Sequence, residues 1–429
     1  MNKNIFLVEK RSSLNTHRPS LALARISTLH KNQNDNIYHV VIKSDFKMPS
    51  VKPDKVYISI IFSWDVLKFI EFIKTLRWMY PTLTKDDIVI GGVAPYFTKD
   101  LIIEHTGIAP VMGCVHELDH VIPDPEFAEN DTTYLFTMRG CPNDCSWCGV
   151  PEIEKEKYVI GNWKEHINLN ASKIVIMDNN LLAAPLEHRK EVFNYLAEIA
   201  SSEGTKIPGT RKLRSVEFDG GFDFRHLTEE NLGFMKRIRW NRIRLAFDKV
   251  GYEKVFDKAM KRLLKAFPKV SSRGIHEDID VFVLYGCSEN HDTIEDTLWR
   301  VYKLMYHYKV KPYLMRYQPL GSLTYKTFVS PYWDETNLVD IARWANNRRI
   351  LYKVPSFKFY YGRRTDGKCL AALTEGQRDV LSQVKVNLQN YDFTKTYEDN
   401  RELIRKELQE RSSVLIRIAS EFEQLEFAM

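Results

Sequence analysis

The sequence predicts an α/β protein in which two parallel sheets are followed by a mostly helical C-terminal region. Three observations lead to this prediction. Apolar runs alternate with helix-forming segments over about the first 115 residues, the alternation begins again near Tyr134, and the pattern turns helical from about Trp333. With 429 residues, the chain is long enough for two or three domains. We place these domains at residues 1–120, 131–320 and 321–429.

The first domain has the proportions of a flavodoxin-like, doubly wound sheet. Its apolar runs predict four buried parallel strands at 5–8, 37–42, 56–62 and 88–90, with helical spacing between them at 21–29 and 66–79. The last run ends in Gly91 and Gly92, where the backbone can approach a ligand or a helix closely. Residues 121–126 contain two prolines and show no period, so they predict a linker.

A second series of strand candidates predicts an open barrel in the middle domain. The candidates lie at 134–138, 173–177, 214–218, 242–247, 279–285 and 312–317. Six strand–helix units are too few for the eight of a closed TIM barrel, so we predict a partial (βα)6 barrel of the TIM type. In such folds the chemistry gathers at the carboxyl ends of the strands.

Charge and hydropathy exclude few partners. The 62 Lys and Arg residues exceed the 56 Asp and Glu residues by six, a bias too mild to imply nucleic-acid binding. No uncharged apolar run is long enough to cross a membrane, and the first ten residues are too polar for a secretory signal, so we expect a cytoplasmic protein. Basic residues near aromatic ones leave nucleic acid open as a partner, but a solvated surface is favoured. These clusters lie at 211–214, 237–244, 261–262, 348–349 and 363–364.

The strongest functional signal is a loop that carries three of the six cysteines. Cys141, Cys145 and Cys148 directly follow the first strand of the predicted barrel. Thiolates spaced C-x3-C-x2-C can bind three irons of a cubane cluster, which leaves the fourth iron open to a small molecule. A zinc site with Cys114 or His116 as the fourth ligand is the main alternative. A disulfide is disfavoured because the chain lacks secretory features.

On these residues the sequence resembles the radical S-adenosylmethionine (SAM) superfamily. Its signature is a C-x3-C-x-aromatic-C loop after the first barrel strand, and Trp147 stands at the aromatic position. The resemblance covers residues 131–320 and implies that the three cysteines hold a 4Fe–4S cluster. It further implies that SAM binds the fourth iron and is cleaved to methionine and a 5′-deoxyadenosyl radical. An external flavodoxin or ferredoxin would supply the electron.

The resemblance also assigns candidate SAM ligands at the next two strand ends. The family's Gly-Gly-Glu motif, which binds the SAM amino group, is absent, and Asp178 and Asn180 stand at its position. Glu217 and Asp223 end the following strand, where polar residues in the family reach the SAM ribose or amino acid. A lone acid at a strand end is equally suited to capping the next helix.

Three later strand ends supply candidates for contact with the substrate. Asp248, Tyr285 and Arg316 close the fourth, fifth and sixth barrel strands, and we predict catalytic roles for them. The identity of the substrate does not follow from the resemblance, because a fold and its cofactors do not specify it.

The N-terminal domain resembles the cobalamin-binding domain that precedes the barrel in many radical SAM proteins. The Asp-x-His-x-x-Gly loop that supplies the lower cobalt ligand in many such domains is missing. Bound cobalamin is therefore not favoured, and we expect the domain to shape the substrate cavity. Cys114 is the only cysteine of this domain, which argues against the methylthiotransferases, a family with three cysteines there.

Three interpretations remain open at this point. The first is a radical SAM enzyme with an unidentified substrate, and the second is a cobalamin-dependent radical SAM methyltransferase. The third is a non-catalytic iron–sulfur binding protein, which only the missing Gly-Gly-Glu motif supports.

Overall fold

The computed structural model describes residues 2–11, 18–43, 48–127, 131–347, 350–351, 354, 356–362 and 390–427. The chain divides into two compact units, Met1–Ile243 with Gln318–Thr327 and Arg244–Tyr317 with Phe328–Met429. The strands are β1 (Asn4–Lys10), β2 (Asn36–Ile42), β3 (Lys55–Ser59), β4 (Ile88–Gly91), β5 (Thr132–Leu135), β6 (Met138–Arg139), β7 (Tyr158–Val159), β8 (Lys173–Ile176), β9 (Ser215–Phe218), β10 (Trp240–Ala246), β11 (His276–Tyr285) and β12 (Val310–Arg316). The α-helices are α1 (Leu21–Lys31), α2 (Val66–Met79), α3 (Ala94–Phe97), α4 (Lys99–Thr106), α5 (His116–Asp119), α6 (Val150–Ile153), α7 (Leu186–Ile199), α8 (Glu229–Met235), α9 (Glu253–Ala266), α10 (Ile294–Tyr302), α11 (Glu335–Ala345) and α12 (Tyr397–Phe427).

The N-terminal sheet is parallel, in the order β2-β1-β3-β4, and is covered on both faces. Phe6 and Val8 of β1 belong to the core that includes the apolar face of α2, whereas Ile5 and Leu7 pack with α1. Alternate residues of a strand point to opposite faces, so the apolar run 5–8 of β1 needs a helix on each side. The predicted doubly wound domain is confirmed.

The predicted linker is held against α1. Phe127 is buried in the core beside α1. The Asp124 carboxylate accepts a hydrogen bond from Ser27 Oγ at 2.6 Å and pairs with Lys31 Nζ at 2.8 Å. Polar contacts of Asp124 and apolar burial of Phe127 therefore fix a segment that has no helical or strand period of its own.

The second sheet has six strands in the order β5-β8-β9-β10-β11-β12, and each neighbouring pair with a recorded register runs parallel. This confirms the open, partial barrel. The first strand is shorter than predicted, because β5 ends at Leu135 and Met138–Arg139 pair antiparallel with β7. A buried carboxylate, described below, binds the backbone at this point and draws it out of the sheet.

In the second unit, α12 packs against α10 through buried polar groups. Ile404 is fully buried, and the Glu407 carboxylate accepts hydrogen bonds from the hydroxyls of Tyr302, Ser356 and Tyr391. The sequence predicts this helix from spaced apolar residues among charges, but it does not predict that a glutamate lies on the packed face. The side chains of Ile418 and Phe422, which belong to the same pattern, lie outside the described residues.

One arginine of the basic clusters is buried. Arg214 is 4% exposed, and its guanidinium donates to the carbonyl oxygens of Leu169, Ala171 and Ile199. The Arg214 guanidinium is therefore hydrogen-bonded inside the fold rather than exposed at the surface. Residues 348–349 and 363–364, and Cys369, lie outside the described residues. Within the described chain, no helix is both long and apolar enough to cross a membrane.

We expect Gly92→Ala to destabilise the N-terminal domain. Gly92 has a φ of +107°, and a Cβ there would lie 2.4 Å from the carbonyl oxygen of Ile60. Gly107 is the matched control, because its φ is +71° but a Cβ would have no neighbour within 4 Å. Gly107→Ala should cost about 1 kcal/mol and Gly92→Ala several times more, measured by urea unfolding. Equal losses of unfolding free energy in the two variants would contradict the close approach of Gly92 to the Ile60 backbone.

Candidate active site

The cysteine loop, residues 140–148, begins just beyond the carboxyl end of β5. Gly140 has a φ of +81°, and a Cβ there would lie 2.8 Å from the carbonyl oxygen of Glu156, so only glycine fits this turn. The N–H of Cys148 donates to the carbonyl of Cys145 at 2.9 Å. Cys141, Cys145 and Cys148 are all partly exposed. The loop therefore presents three thiols that a ligand can reach.

A buried carboxylate holds the backbone that leads into the loop. Asp178 has no exposed surface, and its Oδ1 accepts from the N–H groups of Thr137 at 2.6 Å and Met138 at 3.2 Å. Its Oδ2 accepts from Thr137 Oγ1, which also contacts His188 Nε2 at 3.0 Å. Burial raises the pKa of Asp178 to about 6, although these hydrogen bonds favour its charged form. Both oxygens of Asp178 thus bind the segment that leads into the loop.

A network of ion pairs fixes the two residues that precede Cys141. Arg139 donates to the Asp119 carboxylate at 2.9 and 2.7 Å, and to Glu154 at 3.2 Å. Glu154 also accepts from the N–H of Gly140 at 2.7 Å. Burial alone would raise the pKa of Asp119, but Arg139 and Arg25 outweigh it and hold that pKa below its usual range. Asp119 precedes the barrel in the chain, so residues outside the barrel fix the start of the loop.

The structure brings three predicted site residues together around one sulfur. Asn180 Nδ2 lies 3.6 Å from Cys141 Sγ and donates to Asp223 Oδ2 at 2.9 Å. Asn143 Nδ2 makes the same two contacts, at 3.4 and 2.9 Å. Asn180 is 2% exposed, and its Oδ1 is buried with no hydrogen-bond partner in the described residues. The ends of β8 and β9 thus meet the cysteine loop at Cys141.

Glu217 and Trp147, also predicted to contact the cofactors, belong to the same unit. Glu217 is 3% exposed, and its carboxylate pairs with Lys173 and accepts from Asn241 Nδ2 at 2.9 Å. Lys173 begins β8, at the end of that strand away from the cysteine loop. Trp147 lies within the loop and is partly exposed.

Cys114 and His116, the fourth ligands that a zinc site would need, line a cavity of about 310 Å³ beside α6. Burial raises the pKa of the Cys114 thiol to about 11. In the described residues, no three His, Cys, Asp or Glu side chains are grouped so that they could hold one metal ion. The cysteines of a cubane bind different irons and do not need such a group.

The three predicted catalytic residues lie in the second unit. Asp248 accepts from the N–H of Leu284 at 3.2 Å, and the Tyr285 ring packs edge-on against Trp333. The Arg316 guanidinium donates to the carbonyl of Phe328, and its Nε is buried without a partner among the described residues.

An arginine that the sequence did not single out organises the strand ends in that unit. Arg300, fully buried, donates to the carbonyl oxygens of Phe247 and Leu284 at 2.9 Å each and pairs with Asp292. Burial raises the pKa of Asp292 to about 6 despite this pairing. The carbonyls just beyond β10 and near the end of β11 are thus held by one side chain.

Comparison with solved structures identifies the fold. The radical S-adenosylmethionine methyltransferase TsrM from Kitasatospora setae, with cobalamin and a [4Fe-4S] cluster bound, aligns with a TM-score of 0.54 and 12% identity over 95% of this chain and 100% of its own. A second TsrM structure, with tryptophan substrate and the SAM analogue aza-SAM, aligns with a TM-score of 0.54 and 11% identity over 90% of this chain and 89% of its own.

The chain shares the fold of this radical SAM methyltransferase. A weaker likeness joins it to the cobalamin-dependent radical enzyme OxsB, with a TM-score of 0.47 and 13% identity over 82% of this chain and 56% of that one. No protein-family model matches the sequence, and no curated protein is similar to it.

Within this radical SAM fold, the sequence did not reveal Asn143, Glu154 or Asp119 as site residues. Asn143 carries a usable signal, since it lies between two cysteines of the loop. Glu154 stands in a run of alternating charges, which a solvated helix end would also show. Asp119 lies 20 residues before Arg139, and no local pattern links the two.

We expect Asp178 to position the loop rather than to bind SAM. Asp178→Ala leaves the N–H groups of Thr137 and Met138 buried and unpaired, at about 1–3 kcal/mol each, so iron bound after anaerobic reconstitution should fall. Asp178→Asn keeps an acceptor oxygen and should retain iron, with a SAM dissociation constant within about threefold of the parent, since no charged partner of SAM is lost. A large loss of SAM affinity in an iron-replete Asp178→Asn protein would restore Asp178 as a SAM ligand.

Proposed function

We propose that the protein is a radical SAM enzyme whose cluster is held by Cys141, Cys145 and Cys148. The observation that carries this proposal is the position of three reachable thiols on one loop, at the carboxyl end of the first strand of an open six-stranded sheet. When bound, a 4Fe–4S cluster supplies the electron that cleaves SAM to methionine and a 5′-deoxyadenosyl radical. A flavodoxin- or ferredoxin-type protein is the proposed source of that electron.

The residues around the loop suit these groups. Three cysteines from one loop are the donor set of a cubane with one open iron. The buried Oδ1 of Asn180 has no partner among the described residues, and such an acceptor is costly to leave unsatisfied. The SAM ammonium would satisfy it, so we assign the missing glutamate's role to Asn180. Glu217 as a SAM ligand remains a proposal, in which SAM would have to displace Lys173 or Asn241.

On the substrate side, we assign Asp248, Tyr285 and Arg316. The Nε of Arg316, which has no hydrogen-bond partner among the described residues, is a donor available at the end of β12. A partly buried guanidinium with a spare donor favours a substrate that carries a carboxylate or another anionic group.

Changing any one of the three loop cysteines to Ala should remove most of the iron from anaerobically purified protein. The parent should carry about four irons per chain and absorb broadly near ~400 nm, as a 4Fe–4S cluster requires. The matched control is Cys287→Ala, because Cys287 is fully buried and lies in the second unit. Stoichiometric zinc in place of iron would refute the assignment.

Cobalamin-dependent methyl transfer is a second candidate function, and the N-terminal sheet favours it. Exposed apolar side chains gather at its carboxyl edge, including Ile61 after β3 and Val93 after β4. A Cβ on Gly91 would meet nothing within 4 Å, so the end of β4 faces open space. The sequence disfavours cobalamin because a histidine loop is missing, but an apolar edge can bind a corrin ring without that ligand.

Cobalamin binding can be tested at this edge. If the edge binds cobalamin, protein mixed with hydroxocobalamin will retain about one equivalent through gel filtration, because a single sheet edge offers a single site. Val93→Lys should then abolish retention, whereas Trp78→Lys, at an 81% exposed residue at the end of α2, should not. Retention that is weak in all three proteins would leave the N-terminal domain as a wall of the substrate cavity.

The products formed from SAM separate the three interpretations. Anaerobic protein with SAM and dithionite should yield 5′-deoxyadenosine if it performs radical chemistry. Formation of S-adenosylhomocysteine in addition to 5′-deoxyadenosine would indicate methyl transfer. If an iron-replete protein forms neither product, the non-catalytic iron–sulfur protein is indicated and our proposal is contradicted.

A further inference from the structure

Two amide groups lie beside the sulfur of Cys141 and share one carboxylate oxygen as an acceptor. The Nδ2 atoms of Asn143 and Asn180 lie 3.4 and 3.6 Å from Sγ. Both nitrogens also donate to Oδ2 of Asp223, each at 2.9 Å. An amide NH₂ group has two hydrogens, so each amide has one for the carboxylate and one for the sulfur.

The carboxylate in this arrangement is itself firmly held. Asp223 accepts from the N–H of Arg225 at 3.1 Å and caps the helical turn Phe224–His226. The Arg225 guanidinium contacts both of its oxygens, at 2.7 and 2.9 Å. These contacts outweigh burial and hold the pKa of Asp223 below its usual range. Asp223 is therefore a fixed acceptor that orients both amides toward the sulfur.

We infer that Asn143 and Asn180 donate N–H···S hydrogen bonds to the Cys141 thiolate and thereby raise the reduction potential of the cluster, with Asp223 as the positioning residue. This inference rests on the proposed function, since it needs the cluster. One-electron reduction adds negative charge to the iron and sulfur atoms, and donors aimed at a sulfur stabilise the more negative state. The electron comes from the external reductant already proposed, and no bond is formed or broken.

The first test is a potentiometric titration of the reconstituted full-length protein without SAM, followed by electron paramagnetic resonance. Asn143→Ala and Asn180→Leu should each make the cluster harder to reduce, by on the order of tenfold in the equilibrium constant, which is about 59 mV for one electron. The control is Asn162→Ala, because that amide donates to the carbonyl of His120 at 2.8 Å and does not contact a cysteine of the loop. The control should titrate like the parent.

The second test looks for the hydrogen bonds in the parent protein, so its main result does not depend on a variant that keeps its cluster. Protein labelled with ¹⁵N-asparagine, reduced in H₂O and in D₂O, should show exchangeable protons and ¹⁵N nuclei coupled to the cluster in electron–nuclear double resonance. Asn162→Ala should keep these couplings, and Asn143→Ala should lose part of them.

The outcomes separate this inference from the proposed function. Unchanged potentials in both iron-replete variants, or a parent without exchangeable couplings, would overturn the inference and leave the cluster assignment intact. A parent that binds no iron would overturn the proposed function itself.

Discussion

The arrangement of the cysteine loop depends on one buried carboxylate. Asp178 accepts the N–H groups of Thr137 and Met138 and so ends β5 early, which turns the chain out of the sheet before Gly140. Without this acceptor, two buried donors would lack partners at the point where the chain changes direction. The Asp178 carboxylate accepts the backbone hydrogen bonds that a neighbouring strand accepts elsewhere in the sheet. The residues that follow leave the sheet and can present their thiols.

Within each of the two compact units, an arginine pairs with acidic side chains in a place that is buried or nearly so. In the first unit, Arg139 is placed between Asp119 and Glu154, and in the second Arg300 holds two strand-end carbonyls beside Asp292. A buried charge is tolerated only when it is paired and fully hydrogen-bonded, and removing one partner is far more costly than replacing the whole set. Such groups add little net stability, but they fix one arrangement of the loops.

The sequence predicts the two sheets, the open barrel and the cysteine loop because each depends on a local pattern. Apolar periodicity marks β1 and α2, and three thiols within eight residues mark the loop. The roles of Asp178 and Glu217 could not be predicted in the same way. Each is an acid near a strand end, and only the fold decides whether such an acid faces a cavity, a backbone turn or a lysine of the next strand.

The pairing of Arg139 with Asp119 has a consequence for how the chain can be divided. Asp119 lies before the barrel in sequence, and it also pairs with Arg25 of α1 and accepts from Tyr158 of β7 at 2.6 Å. A barrel excised at residue 131 would therefore retain a buried arginine that has lost its main counter-ion. Joining this barrel to another N-terminal domain would require a new acid at the same place, so the two modules are not interchangeable parts.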